Sequence, residues 1–185
     1  MTLVRFRPRL AAAALALCAM SSPAPLAALP IGEAPPQALG TGPKFKPVRV
    51  DQFAGKVLVV TFWASWCGPC LNEMTAMEQL QRAAPDQLAV VSVNIEGLSK
   101  FKDVRKALSR KLTLVLSHDS TDDVQAAWGV GNIPHMFMID RSGRLAFEHV
   151  GYGNESIPRL VDEVNLLLAQ QAGATSPPAT AETPR

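Results

Sequence analysis

Cys67 and Cys70 are separated by two residues in the run Trp66-Cys67-Gly68-Pro69-Cys70, and the only other cysteine in the chain is Cys18. A bridge across two residues closes too small a loop to restrict the unfolded chain much, so it contributes little as a staple. Its value is chemical: thiol–disulfide exchange. A four-ligand zinc site would need two more Cys or His at matching spacing, and His118, His135 and His149 are scattered. Covalent haem attachment would need a histidine directly after Cys70, where Leu71 stands. The expectation is therefore no metal and no cofactor other than the Cys67–Cys70 pair itself.

The elements around the pair give that chemistry a mechanism. Val57 to Trp63 is nearly continuous apolar sequence with β-branched and aromatic residues, the pattern of a buried central strand. From Pro69 to about Arg82 the spacing of Leu71, Met74, Met77, Glu78 and Leu80 predicts a helix that ends before Pro85. Cys67 then sits at the opening of a helix, beside free backbone N–H groups and the positive end of the dipole, which favours its thiolate. Lowering a thiol pKa from about 8.5 to about 7 raises the anionic fraction at neutral pH from roughly 3% to roughly half. Attack falls to Cys67, and Cys70, one turn on, is placed to resolve the mixed disulfide. Pro69 suits the first helical turn, where its missing N–H would find no partner, and Gly68 keeps the approach open.

Elsewhere strands and helices alternate. Leu88 to Asn94 reads as a second strand, Ser99 to Arg110 as a helix with Phe101, Val104, Ala107 and Leu108 on one face, Leu112 to Leu116 as a short strand and Thr121 to Trp128 as a helix. His135 to Asp140, a turn at Arg141-Ser142-Gly143, and Arg144 to His149 predict a hairpin. A last helix runs from about Glu155 to Gln171, capped by Asn154 or Ser156 and carrying Leu160, Val164, Leu167 and Leu168. A parallel front and an antiparallel back imply an α/β sandwich about a mixed sheet. Trp63, Trp128, Met74, Met77, Met136 and Met138 are expected in its core, the methionines as packing rather than copper ligands.

The termini differ from this body. Arg5, Arg7 and Arg9 precede the apolar stretch Leu10 to Met20, after which Ser21-Ser22-Pro23 breaks the pattern, the layout of a secretory signal peptide over residues 1–28. A retained anchor and a lipidated Cys18 are the alternatives; no apolar run reaches the roughly eighteen residues of a membrane span. Residues 29–46 form a Pro/Gly-rich lead-in, 47–171 the folded domain and 172–185 an Ala/Thr/Pro-rich tail expected to be disordered. The net charge is only +2, and without the three early arginines 15 basic residues face 16 acidic ones, so nucleic acid is not an expected partner.

Phe62 to Cys70 resembles the active-site strand and loop of thioredoxin. Glu73, the long segment from Glu96 to Trp128, and Gly129 to Gly143 resemble more narrowly the secreted TlpA/ResA/DsbE-like group, over roughly residues 53–168. The resemblance implies a thioredoxin-like fold with an inserted helix and strand, drawn here from Ser99 to Leu116. It also implies a cis peptide at Ile133-Pro134, with the Ile133 backbone turned outward to pair with an incoming polypeptide and Trp66 covering the sulfur as an apolar docking surface. Where thioredoxins carry a buried aspartate this chain has Thr61, so Glu73 and His135 become the candidates for proton transfer or thiolate tuning.

Gly-Pro between the cysteines, with Ile133 ahead of the proline, resembles reducing rather than oxidising members. The two extremes differ by about 150 mV, roughly 7 kcal/mol for two electrons. The expected activity is that of an exported, periplasmic thiol-disulfide oxidoreductase. Its implied partners are protein thiol or disulfide clients, among them apocytochrome c or a copper-site protein, and a membrane donor of DsbD/CcdA type. The alternatives are a general disulfide oxidase or isomerase, and a copper-binding thiol chaperone using Cys67, Cys70 and His135.

Overall fold

The computed structural model describes residues 29–151 and 156–170. The expected signal peptide, Cys18, the C-terminal tail and the proposed Asn154 cap lie outside them. Seven strands form one mixed sheet: β1 (Ala38–Thr41), β2 (Pro47–Arg49), β3 (Val57–Trp63), β4 (Leu88–Asn94), β5 (Val115–His118), β6 (His135–Ile139) and β7 (Leu145–Val150). Among the described residues four α-helices accompany them: α1 (Gly68–Ala83), α2 (Leu98–Leu108), α3 (Asp123–Ala127) and α4 (Ser156–Ala169). The strand order is β2-β1-β5-β4-β3-β6-β7, with β3, β4 and β5 parallel and the other pairings antiparallel.

All seven residues of both β3 and β4 are buried, as expected of strands covered on two faces. Alternate residues face two cores. Val57, Val59 and Trp63 pack with Cys67, Cys70, Met74 and Met77 of the α1 region, Phe101 of α2 and Leu160, Val164 and Leu167 of α4. Leu58, Val60 and Phe62 pack on the other side with Val124 of α3, Trp128, Phe137 and Leu39. The four methionines and both tryptophans expected in the core are buried there.

The reading of the elements needs correction at four places. The hairpin β1–β2 spans residues 38–49, so the sheet begins inside the expected lead-in; its strands are only four and three residues long and are interrupted by Gly and Pro, which erases any periodicity. β1 can lie against β5 because residue 40 is glycine: φ is +78°, and a Cβ there would stand 2.4 Å from the His118 carbonyl oxygen. The strand expected at Leu112 to Leu116 is displaced to Val115–His118. The amides of Thr113 and Leu114 donate to the Glu78 carboxylate on α1 at 2.7 and 3.1 Å, and ladder pairing with β4 starts only at Val115. Finally, α3 is a five-residue helix beginning at Asp123 rather than Thr121, and Ala107, assigned to the buried face of α2, is exposed.

Candidate active site

The cysteine loop sits at the carboxyl end of the buried strand β3. Cys67 is the N-cap of α1, and its sulfur accepts a hydrogen bond from the Cys70 amide at 3.2 Å. This is the arrangement that favours a thiolate: an acceptor sulfur at the positive helix end, facing an N–H with no partner within the helix. The sulfurs are joined as a disulfide, with Cα atoms 5.3 Å apart. Cys70 is fully buried and Cys67 is 5% exposed, whereas Trp66 is 72% exposed.

The loop ahead of Cys67 is held by a residue that no sequence pattern singles out. Glu96 accepts from the Ser65 amide at 2.6 Å, the Ser65 hydroxyl at 2.9 Å and the Asn94 side-chain amide at 3.1 Å. Burial works against its charge, but these donors outweigh it and hold its pKa below the ordinary carboxylate value. Ser65 and Glu96 are 31 positions apart, so no local pattern links them.

Ile133 and Pro134 come to the same sheet edge from β6. Their peptide bond is cis. The β3–β6 ladder starts at Phe62 opposite His135, which leaves Ile133 just beyond its end. Ile133, half-buried, packs against the core cluster that includes Cys67 and Cys70, and Pro134 is buried beside it.

The two candidates for proton transfer separate. Glu73 is on α1 one turn beyond Cys70, in the buried stripe Cys70, Glu73, Met74, Met77, Glu78. It is 2% exposed, its Oε2 has no hydrogen-bond partner, and burial pushes its carboxyl pKa up to about 7. Thr61 is fully buried on the same sheet face, its hydroxyl likewise unpartnered. His135 is 3% exposed, and it points away from the cysteines. Its ring stacks on Phe137 at 4.4 Å, in the core on the opposite side of the sheet, and its Nε2 pairs with Glu148 at 2.8 Å. Strand alternation explains this: Met136, its neighbour, takes the cysteine side. Among the described residues no three His, Cys, Asp or Glu side chains converge on a metal site.

A cysteine pair capping a helix at the end of a central strand, with a cis proline leading into the neighbouring antiparallel strand of a mixed sheet, defines the thioredoxin-like class of α/β fold. The chain belongs to the Redoxin family, whose model matches residues 30–165. It is 39% identical over 99 residues to the thioredoxin-like protein YneN of Bacillus subtilis, covering 52% of this chain and 58% of that one. The chain thus spans little more than half the length of YneN. It is 31% identical over 119 residues to the thiol-disulfide oxidoreductase ResA of Geobacillus kaustophilus, covering 64% of this chain and 68% of the relative. Among solved structures, a chain from Chlorobium tepidum assigned as a thiol:disulfide interchange protein DsbE superposes with a TM-score of 0.69 at 29% identity, over 77% of this chain and all of that one.

Proposed function

We propose that this protein is a thiol-disulfide oxidoreductase of the ResA/DsbE type that reduces disulfides in polypeptide clients through Cys67 and Cys70. The observation that carries the reading is the Cys67 sulfur at the α1 N-terminus accepting from the Cys70 amide, next in sequence to an exposed Trp66 and in the core cluster against which Ile133 packs. In the reduced protein the Cys67 thiolate attacks one sulfur of the client disulfide. That S–S bond breaks, a mixed disulfide forms, and the departing client thiolate takes up a proton. Cys70 then loses its proton and attacks the Cys67 sulfur, releasing the second client thiolate, which is protonated in turn. Two electrons and two protons pass to the client, and the protein is left with the Cys67–Cys70 disulfide.

The proton of Cys70 needs an acceptor, and Thr61 cannot serve as one. Glu73 can: it is buried one turn beyond Cys70, and a carboxyl with a pKa of about 7 is matched to proton exchange at neutral pH. The buried carboxyl that thioredoxins carry on the strand is supplied here by the helix.

The basic and apolar N-terminus supports export to the periplasm, where the disulfide left after each turnover must be reduced by an outside donor. A membrane thiol transporter of DsbD/CcdA type fits that need. Clients awaiting haem or copper, such as apocytochrome c, fit a reducing dithiol in an oxidising compartment. The copper-chaperone alternative loses its third ligand, because the His135 ring lies on the far side of the sheet.

Trapping tests the whole reading. Cys70→Ser protein expressed in its host should hold a client as a mixed disulfide through Cys67, and Cys67→Ser should hold none and lose insulin reduction. A wild-type pair with a reduction potential near −120 mV would make the protein an oxidase instead.

A further inference from the structure

Away from the cysteines, a cleft of about 230 Å³ opens between the short 3-10 helix Pro43–Phe45, α2 and the end of β5. Three cations line it, Lys44, Lys102 and Arg105, along with the apolar groups Phe45, Leu98 and Phe101. No acidic side chain lines it among the described residues. The cations are laid over rings: Lys102 Nζ is 5.7 Å from the centre of Phe45, and the Arg105 guanidinium carbon is 5.9 Å from that of Phe101. Phe45 is 71% exposed and Leu98 42%. Lys44 and Phe45 both have φ of 57°, the left-handed region that non-glycine residues avoid, so the chain holds an exposed ring and a cation at the rim in a disfavoured backbone conformation.

The cleft shares a sheet edge with the cysteines. Trp63 pairs with Asn94, Asn94 with His118, and His118 with Thr41, a single row across β3, β4, β5 and β1. At about 4.8 Å per strand, Trp63 and His118 are about 10 Å apart, a span of roughly three extended residues. The two places are also tied chemically: Glu96, whose carboxylate holds Ser65, lends its carbonyl oxygen to His118 Nε2 at 2.6 Å.

We propose that this cleft is a second binding site for the client, taking an acidic segment with an adjoining apolar or aromatic side chain three to five residues from the cysteine under attack. The inference rests on the reductase reading above and adds a substrate preference to it. Carboxylates meet the three cations, the apolar side chain meets Phe45 and Leu98, and the client cysteine lies over Cys67.

The test uses pre-reduced full-length protein and disulfide-linked peptide dimers, each peptide having one central cysteine flanked at the fourth and fifth positions by Glu-Phe or by Lys-Phe, on either side. Single-turnover rates should half-saturate at about tenfold lower concentration for the Glu peptide, an advantage that shrinks with salt. The double variant Lys102→Glu/Arg105→Glu should reverse the preference and leave the rate with bis(2-hydroxyethyl) disulfide unchanged. Equal half-saturation for both peptides, or an equal loss on the small neutral disulfide, overturns the proposal. A wild type inert to every disulfide overturns the reductase reading instead. The cleft is then judged by calorimetry with the Glu peptide carrying serine for cysteine, where no binding, or phenylacetate binding as tightly as the peptide, sinks the client site.

Discussion

Two glutamates on the buried face of α1, five residues apart, have opposite fates. Glu78 is saturated: it accepts from the amides of Thr113 and Leu114, from the Thr113 hydroxyl at 3.0 Å and from Arg82 at 2.5 Å. Burial opposes its charge, but Arg82 and the two residues ahead of β5 outweigh burial and hold its pKa below the ordinary value. Glu73 has no such donors, and burial alone drives its pKa the other way, to about 7. One carboxylate ties α1 to the start of β5. The other lies beside the cysteines, able to change its protonation state at neutral pH. An unpaired buried carboxyl costs stability, and the proposed function gives Glu73 a use that would offset this, taking the proton of Cys70.

The largest effects should come from Glu73. Glu73→Gln should slow resolution of the mixed disulfide by about a hundredfold at neutral pH while leaving the first attack by Cys67 nearly intact, measured by quenching single turnovers with an alkylating agent. The variant should also lose the rise of the resolving rate near pH 7. Stability provides a second reading. A carboxyl whose folded-state pKa is raised holds its proton more tightly in the folded state, so stability present below about pH 4.5 is lost as pH rises toward 7. For a shift from 4.5 to about 7 the loss is about 3 kcal/mol. Urea midpoints of the Gln variant should be flat over that interval once compared with wild type. If wild type shows no such fall, Glu73 is not the buried, unpaired acid described here.

Glu78→Ala should cost about 2 to 3 kcal/mol in urea denaturation, because the Thr113 and Leu114 amides lose their acceptor at the edge of the core. The rate and pH profile of disulfide exchange should stay as in wild type. The sign of the pH effect is reversed relative to Glu73: the stabilisation from Glu78 is present above about pH 4.5 and is lost as pH falls through its depressed folded value. A Glu78 variant with normal stability and slow resolution would exchange the two roles.

These glutamates also show what a sequence can reveal. β3 and β4 were legible to the residue because uninterrupted apolar β-branched runs have no competing reading. The cysteine loop was legible because its chemistry is local: a strand end, two cysteines at fixed spacing and a proline in the first turn. Glu73 stood out through its place one turn beyond Cys70, but the opposite states of Glu73 and Glu78 were not legible, since the backbone amides that help separate them sit 35 and 36 positions from Glu78 on the segment before β5. The same contact displaced β5 from its expected start. His135 was misread for a different reason: its distance from Pro134 is fixed by sequence, but the face it takes depends on strand register. The basic cleft draws its lining from separate segments, around residues 41–45, 98–105 and 118–120, and none of them carries a signal alone.

The smallest effect, and the sharpest test of the Glu78 half of the comparison, comes from Arg82. Its side chain is 57% exposed while that of Glu78 is 6% exposed, so the pair has one wet and one dry partner. An ion pair with a solvated arginine on consecutive helix turns is worth a few tenths to about 1 kcal/mol. Arg82 also donates to the Lys111 carbonyl at 3.0 Å, which helps hold the segment leading to β5. Arg82→Ala should therefore cost about 0.5 to 1 kcal/mol, less in high salt, because Glu78 keeps both amides and the Thr113 hydroxyl. Its carboxyl should remain below the ordinary value, so the acid limb of the stability curve should shift only slightly. A loss as large as that of Glu78→Ala would mean that the arginine, not the backbone amides, keeps Glu78 charged, and the pairing between α1 and the start of β5 would then rest on charge rather than on hydrogen bonds.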